Sequence, residues 1–308
     1  MTRVATNTLL HVAKKTKNDE FYTQLSDIER ELKHYEQHFR GKIVYCNCDD
    51  PSVSNFFNYF VTNFERLGIK KLITACYRET GKGFYFVYSG EKNNKKNTNQ
   101  FNGNGDFRSN ESIKLLEQSN IVVTNPPFSL FREYIGQLVK YNKKFLVIGN
   151  INAITYKEIF KLIKENKAWL GININRGISG FIVPNHYELY GTEARIDNGN
   201  RIVSPNNCLW LTNLDNFKRH EYMDLTKSYI GSENEYHQYD NYKGINVNKT
   251  KDIPCDYQGA IGVPITFLHK YNPNQFEIIK FRKGDDGRDL SINGKCPYFR
   301  ILIRNKHL

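Results

Sequence analysis

The stretch SNIVVTNPPFSLFREYI, residues 119–135, changes character at Thr124. The apolar, β-branched residues before that point are typical of a buried strand, and helical spacing resumes after the loop 125–128. In an open parallel sheet, ligands bind at the carboxyl ends of the strands. The pattern therefore favours a functional loop at this strand end, with ordinary turn chemistry as the alternative.

The loop offers hydrogen-bond acceptors beside a flat apolar face. Its two prolines fix the backbone and remove two N–H donors. The side-chain oxygen of Asn125 and the carbonyl oxygen of Pro126 remain as acceptors, and Phe128 follows Pro127 as an aromatic surface. This combination suits a planar base with an exocyclic amino group, whose hydrogens go to the acceptors while its ring stacks on Phe128.

The 308-residue chain is basic, with a formal net charge of +12 and a pI near 9.2. This surplus favours a polyanionic partner, nucleic acid before an acidic membrane, with a lysine-rich solvated surface as the alternative. The sequence has no apolar run of about 18 residues, so we expect no membrane span. Six cysteines without a C-x-x-C pair indicate reduced thiols of a cytoplasmic protein. We therefore predict neither a disulfide framework nor a metal site.

Strand and helix patterns alternate before residue 214. A strand at 42–48, a helix at 53–67 and a strand at 70–77 predict a βαβ unit, which requires a parallel sheet. Residues 78–105 are rich in Asn, Lys and Gly and predict a polar insertion. Further strands are predicted at 120–124, 143–149, 168–174, 180–184 and 206–214, some of them antiparallel, and further helices at 26–39, 111–118, 129–141 and from Thr155.

Two of these helices carry capping-box signatures at their starts. Ser26 is followed three residues later by Glu29, and Thr155 by Glu158. After residue 214, short apolar runs mix with many Asn, Tyr, Lys and Arg residues, and the pattern defines no fold.

Seven stretches resemble, in the same order, DNA adenine-N6 methyltransferases of the EcoRI type. They are NDEFYTQ (18–24), VYCNCDDPSVSNFF (44–57), GDFRS (105–109), IVVTNPPFSLFREY (121–134), SGFIVP (179–184), YELYGTEARID (187–197) and SINGKCPYFRILI (291–303). The likeness runs over essentially the whole chain. It implies an α/β fold of the Rossmann-like, S-adenosylmethionine-dependent methyltransferase kind, with a mostly parallel, doubly wound sheet. It also implies a catalytic domain over residues 1–213 and a DNA target-recognition region over 214–308.

The resemblance assigns roles to individual residues. Catalysis falls to the loop of Asn125, Pro126, Pro127 and Phe128, and the target adenine stacks on Phe128. Phe181 is the candidate for the other face of the base, with a core aromatic as the alternative. The methyl donor implied is S-adenosylmethionine. Its predicted binding residues are Phe21, Tyr22, Thr23, Asp49, Asp50, Pro51, Asp106, Phe107 and Asn125.

The sequence departs from the usual cofactor pattern in two places. Ser52, Val53 and Ser54 stand where glycines commonly follow the Asp-Pro pair. The second strand ends on Cys76 and Tyr77 instead of an acidic residue for the ribose, with Glu79 nearby.

Basic residues in three runs are candidates for contacts to DNA phosphates. Such contacts fix register and make binding salt-sensitive without reading sequence, and solvated surface is the alternative for each run. The candidates are Lys14, Lys15, Lys17, Lys218, Arg219, His220, Arg282 and Lys283.

The function implied is methylation of adenine N6 in double-stranded DNA, with the base flipped out of the helix. The resemblance further implies the second adenine of GAATTC as target and protection against a cognate restriction endonuclease. We expect a monomer, which suits an enzyme that methylates one strand at a time, and, from the reduced cysteines, action in the cytoplasm. Two alternatives remain open. One is an enzyme of the same chemistry acting on RNA or on protein glutamine, and the other is a catalytically silent DNA-binding protein on the same scaffold.

Overall fold

The computed structural model describes residues 21–90, 97–173, 178–189, 191, 194–204 and 207–307. Its helices are α1 (Leu25–Leu32), α2 (Asn55–Thr62), α3 (Phe64–Leu67), α4 (Asn110–Gln118), α5 (Phe131–Lys140) and α6 (Lys157–Lys164). Its strands are β1 (Tyr22–Thr23), β2 (Ile43–Cys46), β3 (Lys71–Cys76), β4 (Phe84–Tyr88), β5 (Asn97–Gln100), β6 (Ile121–Thr124), β7 (Lys144–Asn150), β8 (Trp169–Leu170), β9 (Phe181–Val183), β10 (Arg195–Asp197), β11 (Asn200–Val203), β12 (Cys208–Thr212), β13 (Gly244–Asn246), β14 (Ala260–Pro264), β15 (Phe276–Phe281) and β16 (Arg300–Asn305). Short 3-10 turns connect several of these elements.

The fold is mixed α/β around a large mixed sheet of order β5-β4-β3-β2-β6-β7-β12-β8. The four adjacent strands β3, β2, β6 and β7 run parallel to one another. The pairs β3–β4, β4–β5 and β7–β12 are antiparallel. The parallel βαβ unit predicted from the sequence is thereby confirmed, and so is an antiparallel strand at the position of β12. The carboxyl ends of β2, β3 and β6 meet at one edge of the sheet.

Continuous burial explains why the central strands are apolar throughout. The four residues of β6 are all buried, as are five of the six in β3. Strands covered on both faces read as unbroken hydrophobic runs instead of alternating ones. The side chains of α2 that face this core include Phe56 and Phe60.

The two predicted capping boxes are wrong. Helix α1 begins at Leu25 after Gln24, so Ser26 lies inside its first turn, and the helix ends at Leu32 instead of continuing to residue 39. The Thr155 hydroxyl donates to the carbonyl oxygen of Asn152 at 2.7 Å, and α6 begins two residues later. In both cases the hydroxyl residue has the right spacing, but the local backbone does not place its oxygen over the free N–H groups.

The predicted polar insertion at 78–105 is also wrong in part. This region contributes β4 and β5, which extend the sheet beyond β3 in antiparallel register. The strand β5 reads Asn-Thr-Asn-Gln and lies at the edge of the sheet. Polar edge strands protect a sheet against pairing with other chains, so polarity here does not argue against a strand.

The described residues divide into two compact units. One unit falls within Met1–Ile159 and Leu170–Leu214, and the other within Phe160–Trp169 and Asp215–Leu308. The first also holds a small sheet of order β1-β9-β11-β10, and the second holds a sheet of order β13-β14-β16-β15. This second sheet gives a definite fold to the region that the sequence pattern left undefined. No helix among the described residues is long and apolar enough to span a bilayer.

Gly149 in β7 should tolerate no side chain, because a Cβ atom there would lie 2.5 Å from Cζ of Phe131. Phe131 opens α5 and is 3% exposed, so its ring has little room to move. We expect Gly149→Ala to lower the free energy of unfolding by about 1–3 kcal/mol, the usual cost of overpacking. Urea denaturation followed by circular dichroism measures this change.

A matched control is available within α5. Gly136 lies on the exposed side of that helix, and a Cβ atom added there meets nothing within 4 Å. Gly136→Ala should raise the free energy of unfolding by about 0.5–1 kcal/mol, since glycine is the poorer helix former. Equal stability of the two variants would contradict the packing account.

Candidate active site at the carboxyl edge of the central sheet

A cavity of about 610 Å³ opens where β2, β3 and β6 end. It is lined by residues 21–22, 47–50, 76–80 and 105–108, together with Asn125, Pro127, Ser129 and Leu130. Most of the residues predicted to bind the cofactor therefore share one cavity with Asn125 and Pro127 of the predicted catalytic loop. The predicted catalytic, base-stacking and cofactor-binding residues that do not line it, all within the described ranges, are Thr23, Pro51, Pro126, Phe128 and Phe181.

The amide of Asn125 has a definite orientation. Its Nδ2 donates to the backbone carbonyl oxygen of Phe21 at 2.8 Å. Its Oδ1 is buried and has no hydrogen-bond partner among the described residues. A buried acceptor without a donor is costly, so this oxygen is suited to a donor that arrives with a substrate.

The rings of Phe21 and Phe181 contact Phe128 in the predicted catalytic loop. Phe21 lies nearly parallel to Phe128, with ring centroids 5.7 Å apart and 19° between the planes. Phe181 is fully buried and meets Phe128 edge-on, at 6.0 Å and 71°. The antiparallel pairing of Thr23 with Phe181 brings these segments together. The ring that is parallel to Phe128 is thus Phe21, a stacking contact that the sequence analysis did not predict.

Side chains of α1 hold the chain just before Phe181. Asp27 is fully buried, and its Oδ2 accepts from the backbone N–H and the hydroxyl of Ser179, at 2.8 and 3.0 Å. Burial raises the pKa of Asp27, while the hydrogen bonds from Ser179 and the nearby Arg30 oppose that rise. Gln24 donates through Nε2 to the carbonyl oxygen of Gly180 at 3.0 Å. These polar anchors have no signal in the sequence.

Asp49 follows β2 and is buried, at 8% exposed. Its Oδ1 accepts from the Ser54 hydroxyl at 2.7 Å, and its Oδ2 accepts from the Thr124 hydroxyl at 2.5 Å. Burial raises the pKa of Asp49 to about 6, against the lowering effect of the two hydroxyl groups. The carboxyl group is therefore mostly ionised at neutral pH.

The glycine-free turn after Asp49 is formed by side-chain bonds of Asp50. Oδ1 of Asp50 accepts from the backbone N–H and the hydroxyl of Ser52, at 2.9 and 2.6 Å. Its Oδ2 accepts from Nη2 of Arg78 at 3.1 Å. All residues from Asp50 to Ser54 are described, and none of them has a positive φ. The turn consequently has no need of glycine.

Asp106 and Phe107 lie on another wall of the cavity. The Asp106 carboxylate accepts from the Arg108 guanidinium, with Nε to Oδ1 at 2.8 Å and Nη2 to Oδ2 at 2.6 Å. These hydrogen bonds lower the pKa of Asp106. Phe107 is mostly buried, and its ring meets Tyr134 edge-on at 5.1 Å. Arg108 and Arg78 are cavity residues that the sequence analysis missed, although each stands two positions after a predicted site residue or strand end.

Of the three basic runs predicted to contact DNA, two lie within the described residues and one does not. Lys14, Lys15 and Lys17 lie outside the described residues. Lys218, Arg219 and His220 belong to the 3-10 turn Phe217–His220, and Arg282 and Lys283 follow β15.

Several of these groups already have intramolecular partners. The Arg219 guanidinium carbon lies 3.4 Å from the ring centroid of Trp169, and Nη1 lies 3.0 Å from Asp215. Arg282 and Lys283 both pair with Asp289, which lowers the pKa of that carboxyl to about 2. Arg219 therefore contributes to packing within its unit, whatever else it contacts.

Within the described ranges, no cluster of three His, Cys, Asp or Glu side chains could hold a metal ion. The cysteines of the described ranges are free thiols, with Cys46 and Cys76 buried near the cavity. Burial raises the pKa of both thiols, so they remain protonated at neutral pH.

Comparison with known proteins places the chain within one family. A family model described as the adenine-specific methyltransferase EcoRI matches residues 9–306. The chain is 66% identical to the Type II methyltransferase M.EcoRI of Escherichia coli, over 100% of this chain and 99% of that protein. It is 38% identical to M.MgeORF184P of Mycoplasma genitalium (96% and 98% covered) and 36% identical to M.MpnI of Mycoplasma pneumoniae (96% and 97% covered), both Type II methyltransferases. No solved structure matches the chain at a significant level. The chain belongs to the EcoRI family of adenine-specific methyltransferases.

Proposed function

We propose that this methyltransferase transfers a methyl group from S-adenosylmethionine to N6 of a flipped adenine in double-stranded DNA. The observation that carries the proposal is the amide of Asn125, whose donor is engaged by Phe21 and whose buried acceptor is open. The second acceptor in this proposal is the carbonyl oxygen of Pro126, the next residue of the loop. A catalytic loop of this kind has no use in a protein that only binds.

The cavity residues suit the proposed methyl donor. A volume of about 610 Å³ lies within the ~300–1,000 Å³ usual for small-molecule sites. The walls combine aromatic surface from Phe21 and Phe107 with the paired charges of Asp50 with Arg78 and of Asp106 with Arg108. Charged groups of both signs suit a ligand that carries both an ammonium and a carboxylate group. When bound, S-adenosylmethionine supplies an electrophilic methyl group on its sulfonium sulfur.

Catalysis by this chain rests on position and electrostatics. The lone pair of adenine N6 is delocalised into the ring, so the amino group is a poor nucleophile. Hydrogen bonds from that group to Asn125 and Pro126 favour a pyramidal nitrogen and concentrate electron density on it. Groups fixed in advance at the point where charge develops need no reorganisation during the reaction. Direct transfer requires no covalent bond to the enzyme.

The acceptor base has to leave the duplex before it can reach this loop. Flipping costs a few kcal/mol, which stacking and hydrogen bonds in the pocket offset. Phe128 is half-buried and supplies the aromatic face next to Asn125. For the second face, Phe181 is the candidate from the sequence. Phe21 supplies that face only if it moves away from Phe128, because the two nearly parallel rings, with centroids 5.7 Å apart, leave no room for a base between them.

The fold assignment within this proposal is Rossmann-like, with residues 1–213 as catalytic domain and 214–308 as DNA target-recognition region. Four consecutive parallel strands and a cavity at their carboxyl ends support the first part. Separate compactness of the unit that contains Asp215–Leu308 supports the second. Our candidates there for phosphate contacts are Lys218, Arg219, His220, Arg282 and Lys283, which all belong to this unit.

The proposed biological setting is restriction–modification. The relatives are Type II methyltransferases, and the identity of 66% with M.EcoRI extends over the whole chain. We therefore assign GAATTC, methylated at the second adenine, as the target, and a cognate endonuclease as functional partner. In this proposal the enzyme acts as a monomer, which suits separate methylation of each strand. The proposed compartment is the cytoplasm.

The acceptor is tested by offering three substrates. Protein and S-adenosylmethionine labelled in the methyl group are incubated with double-stranded DNA, RNA or a glutamine-containing protein, and incorporation is counted. We expect label in DNA alone, recovered as N6-methyladenine after digestion. Label in RNA or protein instead of DNA would show that the enzyme acts on that substrate. Label in none of the three would favour the catalytically silent DNA-binding alternative. The glycine-free turn gives that alternative no support, because the turn forms without glycine.

A further inference from the structure

The carboxylate of Asp49 joins three elements at the base of the catalytic loop. Asp49 itself follows β2, and its backbone N–H donates to the carbonyl oxygen of Ala75 in β3 at 2.9 Å. Its Oδ1 accepts from Ser54, the residue that caps α2 by accepting from the N–H groups of Phe56 and Phe57. Its Oδ2 accepts from Thr124, the last residue of β6.

The catalytic loop has few other anchors. The ladder between β6 and β7 ends at the pair of Thr124 and Val147. The next residues include Pro126 and Pro127, which have no N–H to donate. The side-chain bond of Asn125 to Phe21 and the bond of Thr124 to Asp49 therefore both hold the N-terminal end of the loop.

We propose that Asp49 is a positioning residue for catalysis: its carboxylate holds the Thr124 hydroxyl and thereby fixes where Asn125 leaves β6. This inference rests on the catalytic role proposed for Asn125. It differs from the cofactor-binding role that the resemblance implies, because both carboxylate oxygens accept hydrogen bonds from the protein's own hydroxyl groups and the side chain is buried. A small displacement of a reacting group is enough to cost about 100-fold in rate.

Among the described residues, the titratable groups that interact with Asp49 most strongly are anionic or neutral. Cys46, Cys48 and Asp50 come from its own strand and turn, Cys76 from β3 and Tyr134 from α5. The nearby Arg78 is paired with Asp50. Burying a carboxylate that only hydroxyl groups compensate is unfavourable, so the arrangement fits a functional requirement better than a structural one.

Protonation of Asp49 should weaken the hydrogen bond that its carboxylate accepts from the Thr124 hydroxyl. The thiols and the phenol around it have raised pKa values and stay neutral near pH 6. The pKa of Asp49 is raised to about 6, so its acceptor pair is complete above that pH and is lost as the pH falls through it. The rate of methyl transfer should accordingly decline on the acid side of pH 6.

The test compares Thr124→Val, Thr124→Ser and Thr74→Val in single-turnover methyl transfer to plasmid DNA with GAATTC sites. Thr74→Val is the matched control, since Thr74 is a fully buried threonine of β3 whose hydroxyl has no partner among the described residues. Affinity for S-adenosylmethionine is measured separately by calorimetry. Melting temperatures show whether each variant is folded.

We expect Thr124→Val to lower the transfer rate by about 10- to 100-fold with nearly unchanged cofactor affinity. The pH below which the rate of methyl transfer declines should rise in this variant, because Asp49 loses a hydrogen bond that lowers its pKa. Thr124→Ser should restore most of the rate, and Thr74→Val should match the wild type. A wild-type rate in Thr124→Val, or a Thr124→Ser variant as slow as Thr124→Val, would overturn the inference. So would a loss of cofactor affinity that accounts for the lost rate.

Asp49→Asn provides a second test should Thr124→Val not fold. It should be slow and should lack the acid limb near pH 6, whereas a retained limb would show that another group titrates. Asn125→Ala distinguishes the catalytic role proposed for Asn125 from the positioning role proposed for Asp49. Fast transfer by Asn125→Ala would remove the proposed catalytic role itself, whereas slow transfer with a fast Thr124→Val would remove only the role of Asp49.

Discussion

Asn125→Ala should lower the rate of methyl transfer by about 10²- to 10³-fold, the usual loss when one fixed group that stabilises developing charge is removed. Binding of DNA should change little, because phosphate contacts, which dominate its affinity, come from residues outside the loop. Affinity for S-adenosylmethionine is measured separately, because Asn125 lines the cavity proposed for the cofactor. Single-turnover transfer measures the rate, and calorimetry and gel shift measure the two affinities. The loss should therefore lie in the chemical step.

Two further variants test how the amide acts. Asn125→Asp keeps an acceptor in place but loses the N–H bond to the Phe21 carbonyl oxygen, so its rate should lie between the wild type and alanine. Asn58→Ala, at an exposed position of α2, is the control for loss of an asparagine side chain. An alanine variant at position 125 that turns over like the Asn58→Ala control would refute the catalytic role.

Phe128→Ala should impair base flipping. Stacking of a base on an aromatic ring is worth about 1–3 kcal/mol, or roughly 5- to 150-fold in the flipping equilibrium. Fluorescence of 2-aminopurine at the target position reports the flipped state directly, since the probe brightens when it leaves the stack. The expected result is a smaller rise in fluorescence together with slower methyl transfer.

Packing has to be separated from stacking at Phe128, since its ring also contacts Phe21 and Phe181. Phe128→Leu keeps apolar volume but removes the aromatic face, whereas Phe128→Tyr keeps the face. If stacking matters, Leu should be nearly as defective as Ala, and Tyr should be close to the wild type. A functional Leu variant would instead assign Phe128 to the aromatic cluster alone.

The parallel contact between Phe21 and Phe128 bears on how the base enters. One face of the Phe128 ring is covered by Phe21 at 5.7 Å. The flipped base has to use the other face or displace Phe21. Because the carbonyl of Phe21 also holds Asn125, displacement of this segment would loosen the catalytic amide at the same time.

The sequence predicted the central strands and the position of the loop well, because burial and proline leave strong local signals. The apolar runs that became β2, β3, β6 and β7 are covered on both faces. Polar strand β5 was missed, since its Asn-Thr-Asn-Gln sequence is stabilised by pairing with β4 and by no local preference. A tertiary contact of this kind cannot be read from composition.

Most polar contacts of the site could not be predicted from the sequence, because they too depend on tertiary structure. Asp49 and Thr124 are 75 positions apart and meet only once the parallel sheet is formed. Asp27 looks solvated in the pattern of α1 but is fully buried against Ser179, which lies 152 positions away. The capping boxes failed because spacing alone does not fix where a hydroxyl points.

The most direct test of the whole account is protection of a plasmid that carries one GAATTC site. The plasmid is incubated with the protein, with or without S-adenosylmethionine, and then challenged with an endonuclease that cuts GAATTC. The account predicts full protection that depends on the cofactor and is absent with Asn125→Ala. Complete cleavage after incubation with active protein and cofactor would contradict the assignment of this site as the target of methylation.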